Sequence, residues 1–194
     1  MKRRGIGSHT RPNHGASVEW QTPPEILAAL GPFDDDPAKA GQRDGLDREW
    51  RGFVWLNPPY GATMWPWLAK LAEHGQGIAL LFARTETRGF FSEVWGKASA
   101  LLFLRGRPHF YKNGQRASGN SGGPVVLVAY GHKASHRLER SAHLGAFVSL
   151  KSLDVLRDAA RAEQREADAK FVESLWGGVY REIAAAIRAQ GGER

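Results

Sequence analysis

The chain has 194 residues, 42% of them hydrophobic, which is enough to bury a core in one domain with an appendage. Its formal net charge of +7 favours a polyanionic partner, nucleic acid first, although a membrane surface or solubility alone also explains a basic chain. Cysteine is absent from the sequence, which excludes disulfides, thiolate zinc sites and Cys nucleophiles, and therefore cytosine ring methylation, which needs a covalent Cys adduct.

The first segment, residues 1–17, is basic, contains glycine and has few apolar residues, which predicts a mobile arm and no targeting peptide. No apolar run approaches the roughly 18 residues that a membrane span needs, so we expect no membrane partner. A helix through Leu30 follows, with Thr22 as its predicted N-cap and Pro23 at its first position. The acidic residues 34–36 then end a short strand.

The middle of the chain alternates between strand and helix patterns, as a doubly wound sheet requires. Helices are predicted over 62–74 and 87–97, and apolar strands over 53–56, 78–82, 100–104 and 125–130. This alternation predicts an α/β fold with a mostly parallel sheet. Residues 112–123 form a polar loop rich in Gly, Ser and Asn, which is either a flexible tip or a loop that contacts substrate.

The sequence changes character at about residue 132. Alternating charge over 152–175 and apolar positions at helical spacing over 179–189 predict two helices joined near 177–178. These helices cap the core, form a homodimer interface or bind nucleic acid, and a plain structural extension is the simplest interpretation. The predicted divisions of the chain are an arm over 1–17, a main domain over 18–131 and a helical extension over 132–194.

The tetrapeptide Asn57-Pro58-Pro59-Tyr60, directly after the apolar run 53–56, is the most specific motif. The exocyclic amine of an aromatic base is a poor nucleophile because its lone pair is delocalised into the ring. The Asn57 side-chain oxygen and the Pro58 carbonyl can each accept one N–H of such an amine and direct its lone pair at an incoming methyl group. The prolines fix the loop, and Tyr60 offers an aromatic surface for the base. The simpler alternative is a proline-rich turn after a strand.

The tetrapeptide belongs to a series of motifs. They are Trp20-Gln21-Thr22-Pro23, Phe33-Asp34-Asp35-Asp36-Pro37-Ala38, Asp44-Gly45-Leu46, Trp50-Arg51-Gly52, 54–61, Arg84-Thr85-Glu86-Thr87-Arg88, Phe103-Leu104-Arg105-Gly106-Arg107, 121–124 and 125–130. Over about residues 18–131 this series resembles the phage Dam-type DNA N6-adenine methyltransferases. The resemblance implies a Rossmann-like three-layer αβα fold, S-adenosylmethionine as the methyl donor and adenine N6 in double-stranded DNA as the acceptor. It also implies a phage or prophage enzyme in the cytoplasm of a bacterial host.

The resemblance and the positions of the motifs give further candidate residues. The residues predicted to bind S-adenosylmethionine are Asp36 first, then Asp34, Pro37, Asp44, Thr22 and Pro23. For these acids, a helix cap or a solvated turn is the alternative. The residues predicted to contact DNA phosphates are Arg84, Arg88, Arg105 and Arg107, with a solvated basic surface as the alternative. No histidine spacing indicates a metal ligand set, so no metal is expected.

Two features depart from the wider methyltransferase pattern. The usual glycine-rich loop is absent near Asp36, and only about twenty residues separate Asp36 from Asn57. A strand–helix–strand unit needs roughly thirty residues, so we expect fewer strands than such sheets usually have. Three alternatives for function remain open. They are the same chemistry on RNA adenine, the same chemistry on a protein glutamine amide, and a DNA-binding module without catalysis.

Overall fold

The computed structural model describes residues 20–39, 45–151 and 153–176, and residues 185, 187 and 189. The strands are β1 (Val54–Leu56), β2 (Gly77–Phe82), β3 (Ala100–Leu104), β4 (Tyr111–Lys112), β5 (Gln115–Arg116), β6 (Val125–Tyr130) and β7 (Gly145–Ser149). The helices are α1 (Pro24–Leu30), α2 (Met64–His74), α3 (Arg88–Phe90), α4 (His132–Arg140) and α5 (Leu153–Trp176). A π-helical turn, Phe91–Trp95, continues α3, and a 3-10 turn, Ala142–Leu144, precedes β7.

Five strands form one sheet in the order β1-β2-β6-β3-β7, and β4 pairs with β5 in a separate hairpin. The α/β class is confirmed. The predicted mostly parallel sheet is wrong, since β1–β2 is parallel but β2–β6, β3–β6 and β3–β7 are antiparallel. A parallel crossover needs a long connection, usually a helix, whereas the chain between β3 and β6 contains only the β4–β5 hairpin. It therefore returns antiparallel, and β6 inserts between β2 and β3.

Three strands nevertheless point in one direction. β1 and β2 are parallel, and β2 and β3 run the same way because both are antiparallel to β6. Beside β1, the strand predicted to end at 34–36 is reduced to one parallel bridge between Asp35 and Val54. The carboxyl ends of β1, β2 and β3 thus share one edge of the sheet, hereafter the carboxyl edge. Ligands bind at this edge in sheets of parallel strands.

Helices cover both faces of the sheet. On one face, α1 and α4 bury Leu30 and Leu138 in a cluster with β-strand residues. On the other face, α2 and α3 bury Leu71 and Phe90. Removing one such side chain from water contributes roughly 1.5–3 kcal/mol, so both helix layers stabilise the sheet. The result is a helix–sheet–helix arrangement, although its sheet is mixed.

The sheet continues past the predicted domain boundary at residue 132. α4 packs on the sheet, and β7 adds to the edge of β3, so neither belongs to a separate helical extension. α5 contacts α4, where His132 Nδ1 lies 3.2 Å from Glu163 Oε2. The arm over 1–17 and nearly all of the second predicted C-terminal helix lie outside the described residues. None of the described helices is both long and apolar enough to cross a membrane.

Helix α1 begins later than predicted. It starts at Pro24, with Pro23 at the N-cap and no side-chain capping bond. Thr22 therefore lies one residue before the N-cap, and its side chain makes no capping hydrogen bond. The backbone of Gln21 exchanges hydrogen bonds of 2.8 and 2.9 Å with that of Tyr111. This pairing attaches the start of the described chain to the β4–β5 hairpin.

Helix α3 packs closely on α2 at Gly89. A Cβ at this position would lie 2.1 Å from the Trp65 ring. We expect Gly89→Ala to lower the free energy of unfolding by about 1–3 kcal/mol, because the added methyl group overpacks the contact. Gly96→Ala is the matched control, since the nearest atom to its Cβ would be 3.9 Å away. We expect that variant to match or exceed wild-type stability. Urea denaturation checks both, and equal losses would contradict the packing argument.

Candidate functional site

The Asn57 side chain is hydrogen-bonded on both sides at the carboxyl edge. Its Nδ2 donates to the backbone carbonyl of Trp20 at 2.8 Å, and its Oδ1 accepts from the Tyr60 hydroxyl at 3.1 Å. Pro58 is buried and Pro59 is exposed, so the loop passes from the core to the surface between them. The structure therefore brings together the ends of the predicted tetrapeptide. It also adds Trp20, which is 37 residues away in sequence.

A pocket of about 220 Å³ opens beside Tyr60. Its lining residues are Trp20, Tyr60, Phe82, Phe110, Ala117, Gly119, Asn120 and Ser121. The rings of Tyr60 and Phe82 have centroids 4.9 Å apart and planes inclined by 45°. Four aromatic side chains provide walls for a flat, largely apolar group, and Asn120 and Ser121 add polar atoms. The pocket suits a single aromatic ring system.

The loop between β3 and β6 supplies five of the eight lining residues. Its hairpin turns at Asn113 and Gly114, which have positive φ angles of 51° and 75°. Beyond the hairpin, Ala117 N donates to the Phe110 carbonyl at 2.8 Å, and Ser121 N donates to a proline carbonyl at 2.8 Å. The sequence predicts this segment only as a polar loop, either a flexible tip or a substrate contact, and does not indicate which of its residues line the pocket. The Asn-Gly pair is a strong hairpin signal that could have indicated folded structure here.

Asp36 has a carboxylate held partly out of water. Burial raises the pKa of Asp36 to about 6, and the nearby positive charge of Lys39 only partly opposes this. Within the described parts of the chain, no Lys or Arg forms an ion pair with Asp36. Asp36 directly follows the parallel bridge of Asp35 to β1, so it leaves the sheet towards the same edge as Asn57. A desolvated carboxylate in this position is suited to a cationic ligand group.

The two preceding acids have partners within the fold. Asp34 Oδ2 accepts from the Phe53 N–H at 2.7 Å, and a Cβ at Gly52 would lie only 2.4 Å from that oxygen. Asp35 makes a bidentate ion pair with Arg48 at 2.6 and 2.7 Å, which lowers the pKa of Asp35. Among the predicted cofactor acids, Asp34 thus has a structural partner, whereas Asp36 remains the ligand candidate.

The other predicted cofactor residues contribute differently. Pro23 and Pro37 are buried, and Asp44 lies outside the described residues. Thr22 is buried, with 6% of its surface exposed, and its Oγ1 has no hydrogen-bond partner in the described structure. Buried hydroxyl groups usually have a partner, so a bound polar group or water beside Thr22 would complete this position.

Two of the predicted DNA-contacting arginines, Arg84 and Arg105, lie in loops at the carboxyl edge of the sheet. Arg84 follows β2 and Arg105 follows β3, and both strands point in the same direction as β1. Arg88 begins α3, and Arg107 follows Arg105 by two positions. All four side chains belong to exposed residues. The structure therefore gives exposed positive charge to the carboxyl edge, the edge at which Asn57 follows β1.

The described residues hold no group of three or more His, Cys, Asp or Glu arranged to bind a metal ion. No family model, curated protein or solved structure matches the chain. What the site can do therefore follows from its own geometry, with Asn57 hydrogen-bonded to Tyr60 and with Asp36 following a bridge to the same strand, β1.

Proposed function

We propose that the protein transfers a methyl group from S-adenosylmethionine to the N6 amine of adenine in double-stranded DNA. The observation that carries this proposal is the hydrogen bond between Asn57 Oδ1 and Tyr60, whose ring lines the aromatic pocket. It holds an amide oxygen 3.1 Å from the hydroxyl of a side chain that lines this pocket, which supports Asn57 as the acceptor for the amine of a bound base. The co-directed β1, β2 and β3, with helices on both faces, support a shortened Rossmann-like methyltransferase sheet.

The aromatic pocket supports a base as the acceptor. Adenine in a duplex has its N6 amine paired and stacked, so the nucleotide must leave the stack before an enzyme reaches it. Tyr60, Phe82 and Phe110 can replace the lost stacking contacts, which are worth about 1–3 kcal/mol per base on aromatic side chains. The Asn57 oxygen and the Pro58 carbonyl then accept the two N–H bonds of the amine.

Asp36 fits the charge of the proposed cofactor. S-adenosylmethionine supplies a methyl group on a cationic sulfur, and it also carries an ammonium group. The desolvated carboxylate of Asp36 can neutralise one of these positive charges. The buried Thr22 hydroxyl, two residues before α1, has no hydrogen-bond partner in the described structure and can bond to a polar group of the cofactor. These residues therefore fit the group, with Asp36 as the main electrostatic contact.

The reaction balances without a covalent enzyme intermediate. Asn57 and Pro58 hold the amine so that its lone pair points out of the ring plane. The lone pair forms the new N–C bond as the C–S bond breaks, and the electrons of that bond stay on sulfur, which becomes a neutral thioether. N6 gains a positive charge and loses one proton to solvent. The absence of cysteine agrees with this direct transfer.

The carboxyl edge supports DNA as the partner through its exposed arginines. We expect the double variant Arg84→Gln/Arg105→Gln to weaken DNA binding equally for all sequences, and to reduce the slope of log K against log salt by about 2. Arg51→Gln is the matched control, because Arg51 is exposed and precedes β1 at the opposite edge. Binding isotherms at several salt concentrations measure both. Equal slopes in the double variant and the control would contradict this placement of the DNA.

Transfer of labelled methyl from S-adenosylmethionine to unmethylated duplex DNA tests the proposed function. Digestion of the product to nucleosides should give label in N6-methyldeoxyadenosine. Parallel reactions with RNA and with protein containing accessible glutamine identify the substrate class if DNA stays unlabelled. A folded chain that shows no thermal stabilisation by S-adenosylmethionine would overturn the proposal, since a ligand at 100 times its Kd stabilises by about 2.7 kcal/mol.

A further inference from the structure

The amide of Asn57 can present either its oxygen or its NH2 group to a bound base, because rotation by 180° exchanges the two. Only one orientation serves the proposed reaction, since the amine of the base needs an acceptor. The Trp20 carbonyl, 2.8 Å from Nδ2, can only accept hydrogen bonds. In the reversed orientation the Asn57 oxygen would face this carbonyl, and two acceptors would repel each other. Trp20 therefore selects the useful orientation.

The Tyr60 hydroxyl acts on the other side of the same amide. It lies 3.1 Å from Oδ1 and donates to it. A carbonyl oxygen has two lone pairs, so one remains for the N–H of a base. Burial raises the pKa of Tyr60 above its ordinary value, so the hydroxyl keeps its proton over the whole working range of pH. The Tyr60 ring, packed on Phe82, fixes the position of this hydroxyl.

We propose that the Tyr60 hydroxyl and the Trp20 carbonyl form a clamp that fixes the orientation of the Asn57 amide, so that Tyr60 is a positioning residue in addition to lining the pocket. This inference rests on the proposed function and extends it. Contacts of the next residue fix the position of the Trp20 carbonyl. The neighbouring Gln21 pairs with the backbone of residue 111, and its Oε1 accepts from Gly114 N at 3.2 Å. The β4–β5 hairpin thus supports the orientation of Asn57.

The variant Tyr60→Phe tests the clamp because it keeps the ring and removes only the hydroxyl. We expect kcat to fall about five- to tenfold, the effect of one neutral hydrogen bond, with KM for DNA nearly unchanged and the protein still folded. Tyr111→Phe is the matched control and should retain wild-type kcat, since the Tyr111 hydroxyl makes no bond to Asn57. A kcat for Tyr60→Phe within twofold of wild type would overturn the clamp, as would an equal loss in both variants.

A second readout does not depend on activity. The side-chain NH2 signals of Asn57 in a nitrogen-15 NMR spectrum report the bonds of its amide. We expect these signals to shift or broaden in Tyr60→Phe and to stay unchanged in Tyr111→Phe. If the wild-type protein transfers no methyl group but these signals respond, the proposed function fails while the clamp stands. Unchanged Asn57 signals in Tyr60→Phe would overturn the clamp whatever the activity.

Discussion

Replacing Asn57 with alanine is expected to reduce methyl transfer at least a hundredfold while the protein remains folded. Removing one preorganised electrostatic contact to a reacting group typically costs 10²–10³ in kcat, so a loss of about this size is expected. The effect on stability should be about 1–3 kcal/mol, the combined contribution of the two neutral hydrogen bonds that are lost. Label transfer at saturating cofactor and DNA measures the first quantity, and urea denaturation the second.

Two further variants separate the acceptor role of Asn57 from its structural role. Asn57→Asp keeps an acceptor but loses the donor to Trp20 and sets a carboxylate against that carbonyl, so we expect activity between the wild type and Asn57→Ala. Gln76→Ala removes an exposed amide at the opposite edge, just before β2, and should leave transfer unchanged. Transfer by Asn57→Ala within threefold of wild type would refute the assigned role.

Replacing Asp36 with asparagine is expected to weaken S-adenosylmethionine binding by tenfold to a hundredfold at pH 8. The reason is the loss of a carboxylate that is partly buried and would face a positive charge. In the wild type, affinity should rise as pH increases through about 6, since the carboxylate then ionises. The Asp36→Asn variant should lack this rise. Calorimetric titrations from pH 5 to pH 8 measure both, with Asp34→Asn as the control that keeps the pH dependence.

The same substitution is expected to stabilise the cofactor-free protein. The pKa of Asp36 is raised in the folded state from 3.8 to about 6, so the folded protein holds this proton more tightly than the unfolded chain does. The contribution of this bound proton to the free energy of unfolding is therefore fully present below about pH 4 and is lost as pH rises through about 6. At pH 7 we therefore expect Asp36→Asn to gain about 1–3 kcal/mol. A variant that loses stability and keeps its affinity would instead indicate a structural role for Asp36.

Strand positions could be predicted from the sequence more accurately than strand directions. The predicted strands at 100–104 and 125–130 match β3 and β6 residue for residue, because a strand buried on both faces is a continuous apolar run between polar segments. Such an apolar run does not indicate whether the strand is parallel or antiparallel to its neighbours. β6 is antiparallel because the connection before it contains no helix. The alternation of strand and helix patterns elsewhere in the chain predicted a parallel sheet instead.

The residues of the candidate site could likewise be predicted only in part from the sequence. Asn57 and Tyr60 belong to one tetrapeptide, so a local motif predicted both as site residues, although it did not predict the hydrogen bond between them. The pocket walls formed by Trp20, Phe82 and Phe110 come from distant segments that meet through sheet and hairpin pairing. No local pattern indicates such a meeting. The difference between Asp34 and Asp36 also depends on tertiary structure, because each carboxylate takes its role from what surrounds it.

The central position of β6 has a consequence for how the protein is made. During synthesis, β2 and β3 leave the ribosome before residues 125–130, which pair with both of them. Until then each strand presents an unpaired edge, and neither can complete its hydrogen bonds. We therefore expect β2 and β3 to be joined by the later insertion of an inner strand, with β7 added at the outer edge of β3. Because β7 follows β6 and also pairs with β3, we expect the sheet to be complete only after both strands have been synthesised, and the open edges of β2 and β3 to need protection until then.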